Sequence, residues 1–158
     1  MQLSQKERLL LEDLKSQEEI CVVKYQSYAK LAEDSQLSQL CTTLAGEEQK
    51  HYDTVNQILQ GNQPNMGQGQ AGQSGQSINQ ISQQGINLGQ TNNSKADKFL
   101  CTDLLSTEKY VSGTYDTCIF ESPNPAIRQA LQHIQKDEQK HGEQIFQYMS
   151  SHGMYQVQ

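Results

Sequence analysis

Glu48-Gln49-Lys50-His51 recurs unchanged as Glu138-Gln139-Lys140-His141, a shift of 138 − 48 = 90 residues. The same shift lays Asp13 on Asp103, Leu14 on Leu104, Ser16 on Ser106, Glu18 on Glu108 and Tyr25 on Tyr115. It also lays Asp34-Ser35 on Asn124-Pro125, and no gap is needed. The simplest account is a duplicated unit. Around these matches the apolar residues step by three and four. Leu11, Leu14, Cys21 and Tyr25 form one such row, with Glu18 inside it. Cys41, Leu44, Val55 and Ile58 form another, with Glu48 and His51 inside it. Cys101, Leu104, Val111 and Tyr115 enclose Glu108, and Ile127, Leu131, Ile134 and Ile145 enclose Glu138 and His141. A three-four step is the buried seam of helices packed at a shallow angle. Four such seams close one core, which predicts an all-α antiparallel four-helix bundle.

Working outward, residues 4–59 read as one helical hairpin, broken at Glu33-Asp34-Ser35-Gln36. Residues 95–151 read as a second, broken at Glu121-Ser122-Pro123-Asn124-Pro125, where Asn124 suits an N-cap and Pro125 the first helical turn. Gly61 and Gly153 follow the two block ends, where helices commonly stop. Between them, residues 60–94 hold ten Gln and seven Gly. Such a stretch buries too little apolar surface to offset its ordering entropy and reads as a flexible crossover. Ile78, Ile81, Ile86 and Leu88 are its exceptions from Ser74 onward. The expectation is a single domain over residues 1–158.

Composition narrows the function classes. With a net charge of −6 and a pI near 5.1, no basic stripe offers itself to nucleic acid. No apolar run approaches the ~18–20 residues that cross a bilayer. Met1-Gln2-Leu3-Ser4-Gln5-Lys6 lacks the apolar core of a secretory signal, so synthesis in the cytoplasm is expected. Cys21, Cys41, Cys101 and Cys118 contain no Cys-x-x-Cys pair, which argues against rubredoxin-type iron and zinc-ribbon sites. Their seam positions suit small buried thiols, with disulfides left open.

The chemistry lies in the polar residues that occupy the seam. Glu18, Glu48, His51, Glu108, Glu138 and His141 stand where a Leu or Val belongs. A bare carboxylate there must be paired or stay protonated, and four in one layer repel each other. Two divalent cations resolve the conflict: four carboxylate charges balance four positive charges, and two neutral imidazoles complete the shell. Glu and His three apart share one helix face, so each Glu-x-x-His can grip a common centre. A Glu from each of two helices plus Glu-x-x-His from the other two is the ligand set of ferritin-like di-iron and di-manganese proteins. The bundle is therefore expected to be ferritin-like, and iron, manganese and zinc all accept these ligands. Tyr25 and Tyr115 lie two turns beyond Glu18 and Glu108. Core packing with a satisfied hydroxyl is the preferred reading for both, and a hydrogen bond to a ligating carboxylate is the alternative. Glu47, Asp137, Lys50 and Lys140 read as outer face, Tyr28 and Tyr148 as packing residues, and His133 and His152 as surface. Lys24 aligns with Thr114 and has no repeated role.

Both helical blocks also resemble spore coat proteins of the Coat F type. The resemblance rests on Leu9 to Glu19, Asp97 to Tyr110, Asn124-Pro125-Ala126-Ile127-Arg128 and Gln144-Ile145-Phe146-Gln147-Tyr148-Met149. More distantly, a Glu, a Tyr seven later and then Glu-x-x-His is similar to rubrerythrin. The first resemblance implies a protein made in the mother cell and deposited in the spore coat, with other coat proteins or further copies of itself as partners. The second implies oxygen or peroxide chemistry at a di-iron or di-manganese centre. Rubrerythrin's cysteine-ligated iron domain has no counterpart here, so an electron donor in cis is missing.

Two functions follow as expectations. The first is a structural spore coat protein with a metal-competent core, in which Gln and Lys invite amide cross-linking and the tyrosines oxidative coupling. The second is a di-metal oxidoreductase, for which peroxide disproportionation suits a chain without a redox domain. A site kept only for stability is a third reading, and homo-oligomers stay open.

Overall fold

The computed structural model describes residues 2–64 and 94–156 of the chain. It contains α1 (Gln5–Leu31), α2 (Ser35–Leu59), α3 (Lys95–Glu121) and α4 (Pro125–Ser151), with no strand among the described residues. Each helix starts where its sequence supplies a cap. Ser4 accepts from the Glu7 N–H while Glu7 reaches back to the Ser4 N–H, a reciprocal capping box. Asp34, Ser94 and Asn124 cap the others, with Pro125 in the first turn of α4. Gly61 and Gly153 take φ of 83° and 68° just beyond α2 and α4, the left-handed region that a side chain would disfavour.

The helices form a square. α1 contacts α2 and α3, and α4 contacts α3 and α2. The cross-bundle contacts fix direction. Early in α1, Lys6 meets Glu121 at the end of α3 at 2.6 Å; late in α1, Lys24 meets Asp103 near the start of α3 at 2.8 Å. α1 and α3 are thus antiparallel. His51–Glu138 and His141–Glu48 show the same for α2 and α4.

Two apolar layers fill the square. Leu11, Leu14, Ile58, Ile127 and Leu131 lie in one; Leu37, Leu44, Leu104 and Ile145 lie in the other, all with no more than 1% exposure. Truncating such a leucine to alanine costs about 2–5 kcal/mol. Leu14 and Leu104, equivalent under the ninety-residue shift, sit in opposite layers. The four cysteines are buried free thiols.

Asp97 locks one end of the bundle. Fully buried, its carboxylate accepts from the Glu33 and Asp34 N–H groups, both at 2.9 Å, which pins the start of α3 to the α1–α2 turn. Ser94 therefore lies at the end opposite Gln60, and the connection must span a helix of ~35–40 Å at about 1.5 Å per residue. Most of the crossover expected over residues 60–94, including its four aliphatic side chains, falls on residues 65–93 and lies outside the described residues.

Candidate metal centre

Between the two apolar layers sits a polar one. Glu18 comes from α1, Glu48 and His51 from α2, Glu108 from α3, and Glu138 and His141 from α4. All six are buried, with exposures of 0–6%. They fall into two overlapping groups, Glu18–Glu48–His51–Glu138 and Glu48–Glu108–Glu138–His141. Within each group one ligand atom per residue lies within 4.8 Å of the others. Glu48 and Glu138 belong to both groups. Glu18 and His51 serve one side, Glu108 and His141 the other.

The imidazoles come from the neighbouring helices α2 and α4 and stack, with centroids 5.5 Å apart. Nδ1 of each ring faces the carboxylates. His51 Nδ1 lies 2.9 Å from Glu138 and 3.5 Å from Glu48, and His141 Nδ1 lies 2.8 Å from Glu48 and 3.7 Å from Glu138. Nε2 points outward to a further acid. His141 Nε2 meets Glu47 at 2.8 Å, while His51 Nε2 stands 3.8 Å from Asp137, the equivalent residue. The tyrosines cross the bundle: Tyr25 donates to Glu108 Oε1, and Tyr115 donates to Glu18 Oε1.

That bonding leaves one set of atoms over. Glu18 Oε2, Glu48 Oε2, Glu108 Oε2, both Glu138 oxygens and His51 Nδ1 are buried without a well-aligned hydrogen bond, even though His51 Nδ1 comes within 2.9 Å of Glu138. Each such atom costs about 1–3 kcal/mol, and native proteins keep few of them. Here they converge on one spot, and each terminal glutamate gives one oxygen to a tyrosine and turns the other inward. A hard donor set of carboxylates and imidazole nitrogens fits divalent cations.

The titration of the cluster follows from its crowding. Burial, then the Glu138 and Glu48 charges, push the Glu18 carboxyl well above the carboxylate range. Burial and a hydrogen bond with Glu138 push Glu108 up to about 10. Burial also opposes ionisation of Glu48 and Glu138, but hydrogen bonds from the histidines outweigh it. Glu48 is held below its ordinary value and Glu138 at about 2. For His51 and His141 burial disfavours the charged ring, yet hydrogen bonds that the rings donate to the surrounding carboxylates raise both to about 12. Without metal these directions favour protonated rings at His51 and His141 and protonated carboxyls at Glu18 and Glu108, beside ionised Glu48 and Glu138.

Several neighbours depart from the sequence reading. Glu47 and Asp137 are not simply outer face: Glu47 bonds His141, and Asp137 sits between His51 and Lys140. The signal was an acid preceding each Glu-x-x-His at the ninety-residue spacing. Lys24 ties α1 to Asp103 and Thr107 of α3, and Tyr28 donates to the same Asp103 carboxylate. Tyr148 donates to Asp34, and His152, expected at the surface, stacks on Tyr148 and lies 3.3 Å from Asp34. His133 is exposed.

A family model described as the Coat F domain matches residues 96–158, which cover α3 and α4. Comparison with curated proteins yields no match, and comparison with solved structures yields none.

Proposed function

We propose, for a chain whose residues 96–158 are a Coat F domain, a structural role in the spore coat built on a bundle that holds two divalent ions at its centre. One observation carries the metal reading: two four-residue groups share Glu48 and Glu138, and their unpartnered oxygens point into the same space. Glu18 and His51 would hold one ion, Glu108 and His141 the other, and Glu48 and Glu138 would serve both. Iron or manganese would supply Lewis acidity and redox capacity there. The protein's share is to fix the ligands, with Tyr25 and Tyr115 orienting the terminal carboxylates and Glu47 and Asp137 the imidazoles. In a coat the ions would cross-tie all four helices, because every helix contributes a ligand.

The coat role rests on the family match and on surface chemistry. No described helix is long and apolar enough to cross a membrane. Of the tyrosines invoked for oxidative coupling, Tyr25 and Tyr115 are fully buried, whereas Tyr110 and Tyr155 are exposed. The coupling reading therefore falls first on Tyr155, and on Tyr110 where no partner covers it, ahead of the half-buried Tyr28 and Tyr52.

An oxidoreductase is the second reading, favoured by a groove of about 300 Å³ between α1 and α3. Its lining includes Cys21 and Val111, each one turn from a terminal glutamate. A peroxide-sized molecule in that groove would lie a side chain away from the cluster. Metal analysis of natively purified protein, with peroxide turnover measured alongside, tests both readings. About two ions per chain are expected. Fewer than one would sink the di-metal centre, and turnover no faster than the free ion would remove the enzyme.

A further inference from the structure

The large apolar side chains exposed on the described helices lie on α1 and α3, with none on α2 or α4. Leu9, Ile20 and Leu31 of α1 are eleven residues apart, close to three full turns, so they share one side of the helix. Phe99 and Tyr110 of α3 repeat the spacing, and Phe120, ten residues on, lies about 80° round the helix from that row. Their exposures run from 56% to 83%. Ile20 and Tyr110 line the same groove between the two helices, so both rows look out from the α1–α3 side of the square. Aromatic side chains bury roughly 150–250 Å² each and aliphatic ones somewhat less, so these exposed parts sum to on the order of 800 Å². The rows are interrupted by polar residues, each step being about 16 Å, and their summed apolar area approaches what one partner gives a standard interface (~800 Å²).

We propose that the α1–α3 face is the interface of a two-fold homodimer, in which α1 of one copy lies over α3 of the other. A symmetric face-to-face pair requires the patch to complement itself. Because α1 and α3 run antiparallel, laying α1 over the partner's α3 sets Ile20 opposite the partner's Tyr110 and Leu31 opposite the partner's Phe99, with Leu9 at the partner's Phe120 end.

Charge selects the orientation. The residues beside Ile20 and Tyr110 are Glu19 and Lys109, equivalent in the repeat but opposite in sign. Both are exposed, and neither has an ion-pair partner among the described residues. With a two-fold axis along the helices, Glu19 meets the partner's Lys109 at both rims. With the axis across the helices, α1 lies on α1, and Glu19 meets the partner's Glu19. Only the first arrangement pairs opposite charges.

Sedimentation of the full chain at tens of micromolar, with charge-swapped variants, tests this. The full chain is expected to sediment as a dimer, and Tyr110→Glu as a monomer of unchanged helicity. Glu19→Lys and Lys109→Glu should each weaken dimerisation by up to about thirtyfold, because each change removes both exposed pairs of the two-fold dimer, and the double swap should restore it. If the double swap is weaker than either single, the α1-over-α3 orientation is overturned. A monomeric full chain or an open-ended aggregate overturns the dimer itself. A monomer whose Tyr110 resists oxidative footprinting would instead assign the face to residues 65–93 of its own chain. Should Tyr110→Glu unfold the protein, Ile20→Ser serves as the second variant, with the same expected monomer.

Discussion

Adding a divalent metal to metal-free protein near neutral pH should expel about four protons for every two ions bound. His51 and His141 keep their protons up to about 12 and Glu108 up to about 10, and Glu18 is raised well above the carboxylate range. Glu48 and Glu138 are already ionised. Metal binds the deprotonated forms, so two imidazolium protons and two carboxyl protons must leave. Loading then leaves the net charge of the layer unchanged, because four protons are exchanged for two dications. Protons compete with metal, so loading strengthens as pH rises, by about four decades per unit for the two-ion equilibrium while all four groups are protonated. Calorimetric titration in buffers of different ionisation enthalpy reads the proton count directly. Release of one proton or none would refute the reasoning, since it would mean that the imidazoles were neutral and the four carboxylates already charged.

Without metal, the folded state binds more protons than the unfolded chain, so chelated protein should lose stability as pH rises from ~6 to ~9. Denaturant melts at several pH values check this, and loaded protein should lack that loss. Chelation of both ions should lower stability by about 5.4 kcal/mol relative to metal at a hundredfold excess over Kd at each site, or roughly 11–22 °C in Tm by scanning calorimetry. Glu47→Gln should weaken metal binding about tenfold or more, because His141 loses a charged partner at 2.8 Å. Asp137→Asn should do less, since its gap to His51 is 3.8 Å, and competition with a metal-sensitive dye compares the two. Asp97→Ala removes the buried acceptor of two N–H groups at the α1–α2 turn, and should cost about 2–4 kcal/mol in urea unfolding at an unchanged m-value.

Helix positions were legible in the sequence because their causes are local. Ser4, Asp34, Ser94 and Asn124 satisfy backbone groups one turn away, and a three-four apolar step needs no partner to be recognised. The six inward polar residues were legible as well, since an unpaired charge in a seam is anomalous on its own helix. The roles of Tyr25, Tyr115, Glu47 and Asp137 were not, because each acts across the bundle. Tyr25 serves the glutamate of α3 rather than its own Glu18, and Glu47 serves the histidine of α4 rather than its own His51.

Periodicity and repetition by themselves thus determined four helices, their ends and the identity of the polar layer, because spacing along one helix settles which side chains share a face. Only the tertiary structure decided that Glu48 and Glu138 belong to both ligand groups and which oxygens remain unpartnered. It also decided that the exposed apolar rows of α1 and α3 share one side of the square. Those outcomes depend on the order and direction in which separate helices lie together. That arrangement is set by packing across the core and by long-range locks such as Asp97 on the α1–α2 turn.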